Sequence, residues 1–138
     1  MAELRLSAER RDGSMIVTIA GELDTVTVPE LDTLLTDGRR ETSWIILDVS
    51  RVDFMDTHSL AIIVKHWKRL TEAGGILVLA GARYKYTRAL WITGLASRLP
   101  MNDTVDEAIA AGPGQRPSPT RTAPAPKPKT APPGPVTT

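Results

Sequence analysis

The hydrophobic pattern changes period most sharply between Trp44 and Leu70. Trp44-Ile45-Ile46-Leu47-Asp48-Val49 is a short apolar run rich in β-branched residues, the composition of a strand covered on both faces. From Leu60 the apolar positions become Leu60, Ile63, Val64, Trp67 and Leu70, the i, i+3, i+4, i+7 spacing of a helix with one buried face. Between them lies Asp56-Thr57-His58-Ser59, with Asp56 placed to cap the helix and the next residues in its first turn. Upstream, Leu4, Leu6 and Ala8 alternate with Arg5, Ser7 and Glu9, and Met15 to Ala20 is a second strand-like run. The start of the chain therefore predicts a β-hairpin turning at Arg11 to Ser14. Gly21-Glu22-Leu23-Asp24 is expected to leave that strand. Thr27, with Glu30 three positions on and Pro29 in the first turn, reads as a capping box. It opens a helix from about Val28 to Asp37 that buries Leu31, Leu34 and Leu35 and stops at Gly38.

Downstream, Glu72-Ala73-Gly74-Gly75 breaks the helical pattern and Ile76 to Ala80 returns as an apolar strand. A strand, a helix and another strand form a crossover unit, which favours parallel pairing. Tyr86, Leu90 and Thr93, with Ala89 alongside, share a helical face that Gly94 ends. Ala96 to Leu99 with Pro100-Met101 predict a short edge strand, where proline is tolerated. Asp103-Thr104 caps a last helix through Val105 to Ala111. The expected architecture is α/β, a single domain with a mixed, mainly parallel β-sheet, an N-terminal hairpin and about four helices.

Composition adds a boundary. Nine of the eleven prolines lie between Pro113 and Pro135, where Val136 follows as the one large aliphatic residue of the segment. Such a stretch buries too little apolar surface to offset its ordering entropy, so residues 1–112 are expected to fold and 113–138 to form a disordered, Pro-rich basic tail. Its overlapping Pro-x-x-P matches arise from composition as readily as from recognition by a proline-reading domain. Arg116, Arg121, Lys127 and Lys129 all belong to it, leaving thirteen basic against sixteen acidic residues before Gly112, a net charge of −3. That balance gives no electrostatic footprint for nucleic acid. There is no cysteine, hence no disulfide or thiolate chemistry, and charges interrupt every apolar run well short of a membrane span. The expectation is a cytoplasmic protein without membrane contact.

The chemistry-bearing residues cluster at the start of the second long helix. Its first turn presents N–H groups without intrahelical acceptors, so a phosphoryl group on the hydroxyl of Thr57 or Ser59 is electrostatically favoured there. The same residues serve equally as ordinary caps, and spacing leaves both readings open. Asp48, Asp53 and Asp56 invite comparison with a magnesium site or an aspartyl-phosphate receiver. The first strand, however, runs into Arg10-Arg11-Asp12 and offers no acidic pair to converge on them. His58 and His66 stand about 80° apart around a helix and roughly 12 Å along it, unsuited to sharing a metal. Asp56, Thr57, His58 and Ser59 fan out around one turn and cannot form a nucleophile–base relay. No catalytic residue, metal site or cofactor is expected.

Taken together, Gly21-Glu22-Leu23-Asp24, Thr27 with Pro29-Glu30-Leu31, Leu47-Asp48-Val49-Ser50, Val52-Asp53-Phe54-Met55-Asp56, Gly74-Gly75, Thr93-Gly94-Leu95 and Thr104 to Ala108 resemble the STAS domain. The resemblance is closest to the anti-sigma factor antagonists of bacteria and covers roughly residues 4–110. It implies a STAS-like fold that binds an anti-sigma factor of the serine/threonine kinase type and so frees a sigma factor, switched by phosphorylation of a hydroxyl. In the family pattern a serine follows the F-M-D aspartate, then a serine or threonine, then Gly-Leu; here Thr57, His58, Ser59 and Leu60 occupy those positions. Thr57 is the implied phosphoacceptor, with Ser59 the second choice. Asp24, Thr25, Asp56 and His58 are the expected partner-binding residues, because strand exits of a mainly parallel sheet gather along one edge. The alternative function is a STAS interaction or scaffold module without phosphorylation.

Overall fold

Alternation with period two along the inner strands divides the apolar residues between two layers. The computed structural model describes residues 4–83, 88–94 and 98–114, with Ala89 and Trp91 described by their backbone alone. Strands β1 (Leu4–Arg11), β2 (Ser14–Leu23), β3 (Trp44–Met55), β4 (Ile76–Ala80) and β5 (Met101–Asn102) form one sheet in the order β1-β2-β3-β4-β5. β1 and β2 are antiparallel about an Asp12-Gly13 turn in which both residues have positive φ, and the remaining pairs are parallel.

Met15, Val17 and Ile19 of β2, Ile45, Leu47 and Val49 of β3, and Leu77 and Leu79 of β4 share one face. Helices α1 (Val28–Glu41) and α2 (Thr57–Glu72) close over it, joined by Leu90 of the short α3 (Arg88–Ile92). Ile16, Trp44, Ile46, Ile76, Val78 and Ala80 take the opposite face, where α4 (Val105–Ala111) covers them through Val105, Ala108 and Ile109. Burial on both faces is what the unbroken apolar runs of β3 and β4 require.

Several boundaries differ from the sequence pattern for local reasons. β2 does not end at Ala20, and Gly21, Glu22 and Leu23 remain paired with β3, which itself continues to Met55. Register shifts between Thr18 and Ala20 and between Gly21 and Glu22 absorb two extra residues of β3. Asp48 stabilises the first, its Oδ1 accepting from Ser50 N (3.0 Å) and Ser50 Oγ (2.7 Å). Helix α1 does not stop at Gly38, because that glycine lies buried mid-helix where a β-carbon would run into the Met15 side chain. It permits close approach of helix to sheet. Thr27 does not build a capping box either: it holds the N-cap position without a side-chain cap bond, and its hydroxyl turns back to donate to Glu22 O at 2.8 Å.

Other boundaries match the pattern. Asp56 caps α2, and Thr104 caps α4 through Glu107 N at 3.0 Å. Gly74, with φ of 86°, ends α2 in a closed turn in which Gly75 N donates to Leu70 O (2.7 Å) and Gly74 N to Thr71 O (3.0 Å). The expected edge strand is the two-residue β5, preceded by buried Leu99 and Pro100. Leu90 is buried but Thr93 is exposed beyond the end of α3. Tyr86, Ala96, Ser97 and the tail from residue 115 lie outside the described residues.

Candidate functional site

The parallel pairing of β2 with β3 carries the two candidate segments to one edge of the sheet. Leu23 and Met55 form the last rung, and Asp56 N still donates to Leu23 O at 3.2 Å, so Asp24 and Asp56 leave the sheet side by side. Beyond them stand the Asp24–Thr27 turn and the first turn of α2.

Asp56 has extended backbone geometry and its Oδ1 accepts from Ser59 N at 2.8 Å, while its carbonyl accepts from Leu60 N at 3.1 Å. Of the four amides without an intrahelical backbone acceptor at this end, two are used, Asp56 N on Leu23 O and Ser59 N on Asp56 Oδ1. Those of Thr57 and His58 have no acceptor among the described residues and point outward with the positive end of the helix dipole. The side chains of this turn separate cleanly. Thr57 and His58 are exposed, whereas Ser59 is fully buried and its hydroxyl finds no hydrogen-bond partner among the described residues. Of the two hydroxyl-bearing residues only Thr57 is open to solvent.

Asp24 is drawn into its own turn. Its Oδ1 accepts from Val26 N (2.9 Å) and Thr27 N (3.0 Å), while the Thr27 hydroxyl accepts from Asp24 N (3.0 Å). The backbone N–H of Thr27, chief among these contacts, holds the Asp24 carboxyl below its ordinary range. Thr25 is exposed at the tip. Val26 beside it is 82% exposed, and Phe54, opposite Glu22 in the ladder, is 48% exposed, so the edge carries two apolar side chains that the pattern of charges did not single out. Val26 carried a signal, an apolar residue flanked by Thr25 and Thr27 just past a strand exit, whereas Phe54 stands beside apolar Met55 and is not set apart by the pattern.

One polar cluster escaped the sequence reading altogether. His66 lies on the buried stripe of α2 between Ile63 and Leu70, at the spacing of a core residue, and is fully buried. Arg39 Nε donates to its Nδ1 at 2.9 Å; a guanidinium only donates, so the imidazole is neutral with its proton on Nε2, which donates to Asp32 Oδ1 at 2.7 Å. Lys65 Nζ adds a 2.9 Å contact to the same oxygen. Burial, before any other influence, holds the His66 pKa below 6.5, and Asp32 is lowered first by Lys65 and then by His66. This clasp joins α1 to α2, far from the exposed His58. Among the described residues no group of His, Asp or Glu side chains is arranged to hold a metal ion, and no helix is long and apolar enough to cross a membrane.

Comparison with known proteins points the same way as this geometry. The family model described as the STAS domain matches residues 5–108. An anti-sigma-B factor antagonist of Staphylococcus aureus is 32% identical over 101 residues, spanning 72% of this chain and 94% of its own length. An anti-sigma F factor antagonist of Paenibacillus polymyxa is 27% identical over 108 residues, spanning 77% and 92%. The crystal structure of an anti-sigma factor antagonist from Mycobacterium paratuberculosis superimposes with a TM-score of 0.72 at 25% identity, covering 79% of this chain and 93% of that one.

Proposed function

The chain belongs to the STAS domain family, and from that membership we propose that it is an anti-sigma factor antagonist: it captures a kinase-type anti-sigma factor in the cytoplasm, frees a sigma factor, and is switched off by phosphorylation of Thr57. It acts by binding and not by catalysis. The observation that carries the reading is exposed Thr57 on the first turn of α2, beside two amides with no acceptor among the described residues and next to the Asp24 turn. Asp24, Thr25, Asp56 and His58 form the polar part of the docking surface, and Val26 and Phe54 supply apolar contact between them. The location follows from the partner, since a kinase-type anti-sigma factor uses ATP.

Phosphorylation adds about −1.5 to −2 charges at the helix start. In the free protein the dipole and the unpaired amides accommodate that charge, so α2 remains folded. A docked surface shaped for a neutral hydroxyl beside Asp56 and exposed Asp53 meets concentrated negative charge instead, and the complex separates. Incubation with the kinase-type anti-sigma factors of the source organism and ATP, followed by mapping of phosphate by mass spectrometry, tests this. Acid-stable phosphate on Thr57 is expected. Binding with no phosphate on Thr57 or Ser59 favours the constitutive interaction module, and acid-labile phosphate on an aspartate overturns the reading.

A further inference from the structure

At the opposite end of α2 from Thr57, the last turns of α1 and α2 and the segment entering β3 enclose a cleft of about 310 Å3. Arg39, Arg40 and Arg69 line it, together with Ser43. We propose that this cleft binds a small multivalent phosphate-class anion, a pyrophosphate or phosphate-ester group, at a site separate from the Thr57 surface.

Arginines in a last helical turn ordinarily complement the helix dipole, and that explanation is tested by what they touch. The carbonyls bonded at these two helix ends accept from backbone amides and not from the arginines. Thr42 N donates to Gly38 O at the end of α1, and the amides of Ala73, Gly74 and Gly75 close the end of α2. The side chains of Arg40 and Arg69 make no hydrogen bond or ion pair with the described residues, and the Arg39 side chain uses only Nε, on His66, leaving both terminal nitrogens available. The one lining carboxylate, Glu41, is turned to Arg10 at 3.3 Å. Three guanidinium charges therefore stand against about half a negative charge from each helix end, and the cleft remains strongly positive. Its size lies at the lower limit of small-molecule clefts. Guanidinium forks match the oxygens of a phosphate in pairs, and the Ser43 hydroxyl makes no bond of its own among the described residues.

The test titrates the full chain with sodium pyrophosphate at constant ionic strength, followed by calorimetry and by the imidazole nitrogen resonances of His66. Saturable binding is expected, with movement of the His66 resonances because Arg39 contacts both the cleft and that ring. Arg40→Gln/Arg69→Gln, both exposed positions, should weaken binding by about tenfold or more, whereas Lys68→Gln, one charge removed from the same helix outside the cleft, should leave it unchanged. Absence of saturable binding, retention of affinity in the double variant, or equal affinity for citrate overturns the proposal.

Discussion

Replacing His66 with alanine probes the interior clasp most severely. The imidazole is fully buried between α1 and α2, so its removal leaves a cavity and strips Asp32 of one charge-assisted donor and Arg39 of its acceptor. Asp32 keeps Lys65, and Arg39 is partly exposed and regains water, so the cavity dominates. Large-to-alanine replacements in cores cost about 2–5 kcal/mol, and the lower half of that range applies here because the rim is polar and hydratable. A loss of about 2–3 kcal/mol corresponds to a fall in thermal midpoint on the order of 10–20 °C for a domain this small. The clasp also predicts a pH dependence. Because the folded pKa of His66 lies below 6.5, the unfolded chain binds a proton more readily, so the stability His66 contributes is complete above pH 6.5 and declines as pH falls toward the folded value. Urea unfolding followed by circular dichroism at pH 7.5 and 5.5 measures both effects. His66→Gln should flatten the slope between those two pH values. An alanine variant as stable as the wild type, or a slope unchanged in the glutamine variant, refutes the clasp.

Ser59→Ala removes a buried hydroxyl that has no partner among the described residues and should raise stability by about 1 kcal/mol, read from urea midpoints. Gly75→Ala should lower stability by roughly 2 kcal/mol or more, since its β-carbon would land on the Ser43 carbonyl oxygen that accepts from Ile76 N, and the same unfolding assay detects it. Asp56→Ala should cost about 1 kcal/mol through loss of the α2 cap. Deleting residues 113–138 should leave the thermal midpoint within about 2 °C, whereas a drop of several degrees would mean that the tail packs on the domain.

Where a structural choice is made by local periodicity, the sequence displays it. The hairpin, the buried strands Trp44–Val49 and Ile76–Ala80, and the Asp56 and Thr104 caps follow from alternation, β-branching and cap chemistry. Choices made by tertiary contact were hidden. Gly38 resembles a helix stop until Met15 is seen pressing against it, and Thr27 resembles half of a capping box until Glu22 O claims its hydroxyl. β3 outruns its apolar core because bulges, one held by Asp48 and Ser50, let it stay paired with β2. At the candidate site the residue types were legible but their orientation was not. Only packing separates exposed Thr57 from buried Ser59 two positions on, and although spacing puts His66 on the buried stripe of α2, only packing shows the Asp32 and Arg39 partners that make it the bridge between α1 and α2.

The central claim is that an added negative charge at Thr57 dissolves the partner complex without unfolding the domain. Isothermal titration of one cognate kinase-type anti-sigma factor, without ATP, into wild type, Thr57→Ala and Thr57→Glu tests it most directly, with circular dichroism verifying that each variant is folded. Wild type and Thr57→Ala should bind within about threefold of each other, and Thr57→Glu should bind at least about tenfold more weakly, the equivalent of 1.4 kcal/mol. Equal affinity of all three folded proteins would contradict the switch and leave a constitutive binder in its place.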